Sequence, residues 1–180
     1  MTRKGWEWMV AFGLLPALLL LSTCRGPAGT ETRNRDVVAE MFESVNRNDL
    51  AALDALIRTD YVRHCQATPD LVVDSLTAFK EFLEADKRTF PDRKIEVVRL
   101  VAEGDYVAFL AVYHGTQRGP LGDFQPTDRA MRLDMSGIHR LKEGKIAETW
   151  VTWDNMAAFR QLGLFKKPLP PDAPGAAATN

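Results

Sequence analysis

Residues 139–155 read HRLKEGKIAETWVTWDN. Two strand-like runs flank Lys142-Glu143-Gly144-Lys145, and a Glu-Gly pair between such runs is the chemistry of a tight hairpin turn. The second run carries Trp150 and Trp153. These differ by three positions, so a regular strand sends them to opposite faces, and only one can face a cavity unless a bulge intervenes. Asp154 ends the run and precedes NMAAFRQLG (155–163), a short helical pattern that stops at Gly163. An aspartate in that place is set to cap a helix. Arg140 and Glu148 fall on facing strands and can pair across the hairpin.

The period-two pattern extends upstream. KIEVVRLVAEG (94–104) and YVAFLAVYHGTQ (106–117) read as strands joined at Glu103-Gly104-Asp105. In the second, Val107, Phe109, Ala111 and Tyr113 share one face and Ala108, Leu110 and Val112 the other, which predicts cover on both sides. GPLGDFQPTD is a loop, and RAMRLDMSGIHRL pairs with KIAETWVTWD in the hairpin above. The first third has a helical period instead. Residues 34–47 place Val37, Val38, Met41, Phe42 and Val45 on one stripe, and Asn46 to Asp49 breaks it. Asp49 is placed to cap a short helix with Leu50, Leu53, Leu56 and Ile57. TDYVRHC is extended. SLTAFKEFLEADKRTF is a third helix striped by Leu76, Phe79, Phe82 and Leu83, terminated by Pro91. Helices followed by an antiparallel meander indicate an α+β domain.

The ends depart from this pattern. Arg3 and Lys4 precede an apolar run from Met9 to Leu21, short for a membrane span but suited to a signal sequence. LSTC (21–24) resembles a bacterial lipobox, which implies lipidation of Cys24 and a membrane-held protein of the cell envelope. The alternative is cleavage after Ala28 with a secreted or periplasmic product. Residues 25–33 read as a linker, 34–165 as the domain, and 166–180, rich in proline and alanine, as a disordered tail. With Lys+Arg 23 against Asp+Glu 24 the net charge is −1, and no basic stripe supports nucleic-acid binding. With Cys24 lipidated, Cys65 has no disulfide partner and reads as a small buried thiol.

The segments NDLAALDALIRTDYVRH, FPDRKIEVVRLVAEGDYVAF, YHGTQRGPLGDFQPTDR and IHRLKEGKIAETWVTWDNMAAFRQLG, in that order, resemble the SnoaL-like polyketide cyclase family over about residues 34–164. The Gly-Thr-x-x-Gly run, the Arg-x-x-x-Gly-Lys-Ile hairpin and the closing Gln-Leu-Gly carry the likeness. It implies a cone of the nuclear-transport-factor-two-like kind: a curved antiparallel sheet wrapped around N-terminal helices, enclosing an apolar cavity. It also implies cyclase or ester-cyclase chemistry by general acid and base. The family's catalytic aspartate falls at Val151, which cannot move a proton. Asp154 matches a second acidic position, Gln117 replaces a histidine, and His64 matches a histidine after the second helix. By the family pattern Ala147, Thr149, Val151 and Trp153 face the cavity. Ile146, Glu148, Trp150 and Thr152 face away, where a neighbouring subunit could cover Trp150. The reverse assignment stays open from sequence.

Two functions follow as expectations. One is an enzyme for a small hydrophobic or carbonyl-containing molecule, with His64 or His114 as base and Asp154 or His139 orienting substrate or water. The cavity would be lined by Phe109, Tyr113, Gln117, Met135, His139, Val151 and Trp153. The other is a noncatalytic binding lipoprotein, or an interaction module dimerising through the open sheet face. No cofactor is expected, and no metal, since no close-spaced ligand pair occurs.

Overall fold

The computed structural model describes residues 28–164. The apolar N-terminal run, Cys24 and the 166–180 tail lie outside the described residues. None of the described helices is long and apolar enough to cross a membrane.

Helix α1 (Ala28–Arg47) begins ahead of the 34–47 stripe, within the stretch read as a linker. Its buried side chains Asn34, Val38, Met41, Phe42 and Val45 recur at helical spacing. It ends where Asn48 turns left-handed (φ 57°) and the Asp49 N–H reaches back to the Ser44 carbonyl. Helix α2 (Leu53–Leu56) is a single turn, with Asp49 accepting the Ala52 N–H. Ile57, expected on that helix, instead begins strand β1 (Ile57–Cys65). Helix α3 (Leu76–Thr89) is capped by Ser75, whose hydroxyl accepts the Ala78 N–H, and stops just before Pro91.

Strands β2 (Lys94–Glu103), β3 (Tyr106–Thr116), β4 (Ala130–Lys142) and β5 (Lys145–Trp153) follow, then helix α4 (Asn155–Leu162). The α+β expectation holds. The sheet order is β1-β5-β4-β3-β2. The expected all-antiparallel sheet is mixed, because β1 lies parallel to β5. Parallel neighbours need a long crossover, and here nearly the whole domain lies between them. At the β4–β5 turn both Glu143 (φ 55°) and Gly144 (φ 77°) have positive φ, the primed geometry that suits strand twist. Register irregularities in β1, β2 and the β4–β5 pair bend the sheet around the helices.

The β4–β5 irregularity changes a predicted face. Leu141 pairs with Ile146 and Arg140 with Glu148, so Ala147 is the extra residue of a bulge. Ile146 therefore faces the interior with Thr149, Val151 and Trp153, rather than outward. The expected Arg140–Glu148 pair forms at 2.7 Å. The predicted double cover of β3 does not: Leu110 is 53% exposed. It lies with Val101, Ile138 and Trp150 along an outer groove on the sheet's far side.

Candidate functional site

Between the sheet and helices α1, α3 and α4 lies a cavity of about 800 Å³. Its walls are largely apolar: Phe42, Phe82, Phe109, Met135, Val151 and Trp153 contribute. A space of that size and character suits a small organic ligand. Of the predicted lining residues, Phe109, Tyr113, Met135, His139, Val151 and Trp153 all border it.

The other nominations fall elsewhere. His64 lies on the outer face of β1, stacked on Trp150 with ring centroids 5.2 Å apart. Its Nε2 sits 2.8 Å from Glu148 Oε1. His114 also projects from the outer face, 3.7 Å from Glu96. Neither borders the cavity, so neither is placed to act as a base within it. The reason is strand parity: Tyr61 and Arg63 point inward on β1, as Val107, Phe109, Ala111 and Tyr113 do on β3, and each histidine is one residue out of step. Asp154 accepts the Met156 and Ala157 N–H groups as N-cap of α4 and does not reach the cavity. Gln117 is fully buried outside it. Its amide donates to the Gly119 and Gln125 carbonyls and accepts from the Thr127 hydroxyl, which ties down the 117–127 loop. Trp150 lies on the outer face, 39% exposed, with His64 stacked on its ring. Cys65 is half-buried and, among the described residues, in no disulfide.

His139 is the histidine that enters. It is fully buried, packed face to face with Phe109 at 4.9 Å and edge-on to Phe42 at 5.9 Å. Nδ1 lies 2.8 Å from the Thr149 hydroxyl. Among the described residues Nε2 has no hydrogen-bond partner, and the His139 ring borders the cavity. Burial alone pulls its pKa down to about 3, so the ring is neutral. Burial pushes the pKa of the Tyr61 phenol, which also borders the cavity, up to about 12.

Two cavity-lining groups, Asp86 and Arg63, and the buried Arg93 that holds Asp86 escaped the sequence reading. Asp86 lies on the apolar stripe of α3, in line with Phe79, Phe82, Leu83 and Phe90. A carboxylate on such a stripe is the signal that would have found it. Burial raises its pKa, against the opposing pull of Arg93. Arg93 donates to Asp86 Oδ2 at 3.0 Å, and the Tyr113 hydroxyl donates to Asp86 Oδ1 at 3.0 Å. Burial first, and then the Asp86 charge, push the Tyr113 phenol well above its ordinary value. Arg63 faces inward from β1 and is only 8% exposed. Its guanidinium carbon lies 4.7 Å from the Phe82 ring centre and 5.5 Å from that of Trp153. Arg63 is the register partner of Thr149, which is the partner of His139, so the three form a row across β1, β5 and β4.

Chemically, this is a largely apolar pocket bordered by a carboxylate of raised pKa, a neutral imidazole and a guanidinium. Among the described residues no cluster of three or more His, Cys, Asp or Glu is arranged to hold a metal.

The SnoaL-like polyketide cyclase family matches residues 36–162. Among solved structures, the chain is similar to wild-type IdmH of Streptomyces antibioticus, a candidate polyketide cyclase. They share 30% identity over 72% of this chain and 98% of that one, with a TM-score of 0.65. AclR of Streptomyces galilaeus, a candidate hydroxylase, shares 26% identity over 81% and 87%, at TM-score 0.66. A SnoaL-like protein from Jannaschia sp. CCS1 reaches TM-score 0.70 at 17% identity over 79% and 99%, a likeness of fold alone. None of the curated proteins compared matches the chain.

Proposed function

The chain belongs to the SnoaL-like polyketide cyclase family, and on that footing we propose that its cone binds a small, mostly apolar, carbonyl-bearing molecule and moves a proton on it. The observation that carries the reading is Asp86, a raised-pKa carboxylate bordering an apolar cavity. A carboxylate short of solvation is a stronger base than one in water, and its pKa sits nearer the working range of a general acid or base. Asp86 accepts a proton from the carbon next to the carbonyl and returns it after rearrangement or ring closure. The neutral His139 ring borders another wall. By the family resemblance Val151 falls at the position of the family's aspartate, so on this reading the carboxylate comes from α3 rather than β5.

Proton exchange in heavy water tests this. Carbonyl compounds small enough for the cavity should lose their α-proton NMR signals with the wild type. Asp86→Asn should slow exchange about a hundredfold. Should no compound of a broad panel exchange, the catalytic half of the reading falls. The second reading then stands: a noncatalytic binding protein, favoured by the valine at 151.

The same proposal places the domain in the bacterial cell envelope, tethered through Cys24. The support is the charged, apolar and LSTC order of residues 1–24. Cys24→Ser should shift the protein from the membrane fraction to the soluble fraction. Retention in the membrane fraction would remove the lipid anchor from the proposal.

A further inference from the structure

The buried charges of the cavity do not balance. Arg93 is matched by Asp86 at 3.0 Å. Arg63 has no such match: among the described residues no carboxylate lies in ion-pair contact with it. Its one side-chain hydrogen bond is a long 3.5 Å contact from Nη1 to the Thr68 hydroxyl. The Asp86 carboxylate is near enough to feel its charge, but its hydrogen bonds go to Arg93 and Tyr113. The one carboxylate near both guanidiniums is thus bonded to Arg93 and not to Arg63. Asp70 and Asp123 also border the cavity, but both are exposed, where water screens them.

An arginine more than nine-tenths buried with a single long hydrogen bond is poorly solvated, and such a charge is stabilised by a partner. The stem and rings recover part of that cost. Phe82 and Trp153 flank the guanidinium, and each supplies attraction from its ring electrons. Rings, however, satisfy no N–H group. A guanidinium carries five N–H donors in a planar fork. Most of those of Arg63 remain for the cavity it borders.

We propose that the ligand of the cone is a monoanion, specifically a carboxylate, seated on the fork of Arg63. One unmatched positive charge calls for one negative charge. A planar carboxylate accepts two parallel N–H bonds from a guanidinium edge, in a slot whose other walls are aromatic. The apolar body of the ligand then extends along Phe109, Met135 and Val151. This deepens the reading under "Proposed function" and rests on it: the carbonyl compound handled by the cone is a carbonyl acid. A structural arginine held by its two rings alone would show no preference for anions.

The test uses the full chain and the fluorescent probe N-phenyl-1-naphthylamine, which is uncharged and brightens in apolar cavities. Naphthalene-2-carboxylate and naphthalene-2-carboxamide, matched in shape and differing in charge, compete it off. The wild type should favour the carboxylate by about tenfold or more, the size of a charge-assisted bidentate pair. Arg63→Met should bring the two competitors to within about twofold while still binding the probe, and Arg63→Lys should keep part of the preference. Equal affinities in the wild type, or a preference that survives Arg63→Met, would overturn the carboxylate proposal and leave the cavity reading intact. The wild-type comparison decides the matter even if Arg63→Met does not fold. Absence of probe binding to the folded wild type would instead overturn the cavity reading, and this proposal with it.

Discussion

Arg93→Met should cost about 3–5 kcal/mol of folding stability, the usual consequence of removing one partner of a buried ion pair. The Arg93 side chain is only 1% exposed. Besides Asp86, its Nη1 donates to the Leu83 carbonyl of α3. Its Nη2 lies 3.4 Å from both the Val45 carbonyl and Asn48 Oδ1 at the end of α1. One guanidinium therefore fastens the start of β2 to two helices. Methionine matches much of its volume but none of its donors. Asp86 would be left with Tyr113 as its remaining donor, and burial would raise its pKa further. Urea unfolding should show a lower midpoint with an unchanged slope. Adding Asp86→Leu should recover part of the loss, since burying neither charge is cheaper than burying one. A loss below about 1 kcal/mol would mean that the pair is screened as a surface pair is.

Acid should act mainly through His139. Its folded pKa is about 3, against an ordinary value of 6.5. Above 6.5 the ring is neutral in both states and contributes no pH dependence. Below 6.5 the unfolded chain takes up a proton that the folded chain refuses, so stability falls as pH falls toward 3. The difference amounts to about 2 kcal/mol between pH 7 and pH 5, and about 4 kcal/mol by pH 3. His139→Leu keeps the site apolar and cannot be protonated. It changes basal stability as well, so the quantity to compare is the slope of stability against pH. That slope should be flatter in the variant by the amounts given. The raised carboxyl of Asp86 works in the opposite sense, favouring the folded state just below its folded pKa, but it is present in both proteins and cancels. Equal slopes would mean that water reaches His139 in the folded protein.

The α+β class, the hairpin at Glu143-Gly144, the Asp154 cap, the Arg140–Glu148 pair and the family resemblance were all readable from residue order. They depend on neighbours within a turn or along a paired strand, and such chemistry is written locally. Strand parity also held enough information to place His114. The β3 face expected to line the cavity carries Phe109 and Tyr113, so the next residue, His114, points away. His64 offered no comparable guide, because the stripe of β1 is interrupted by Arg63 itself. Ile146 was misplaced because the bulge at Ala147 shifts parity by one, and nothing in KIAETWVTW marks a bulge.

The residues that give the cavity its character needed the folded chain. Arg63 comes from β1, Asp86 from α3, Arg93 from the start of β2 and His139 from β4. In sequence each is an ordinary polar residue with no spacing signature. Burial and mutual distance give them their properties, raising the Asp86 pKa and lowering that of His139, and both are products of packing between distant segments. Residue order thus settled which elements form and in what succession, since hydrophobic period and turn chemistry act at short range. The assembled sheet and helices settled which charges are desolvated and which remain unmatched, since electrostatic energy depends on surroundings contributed by the whole domain.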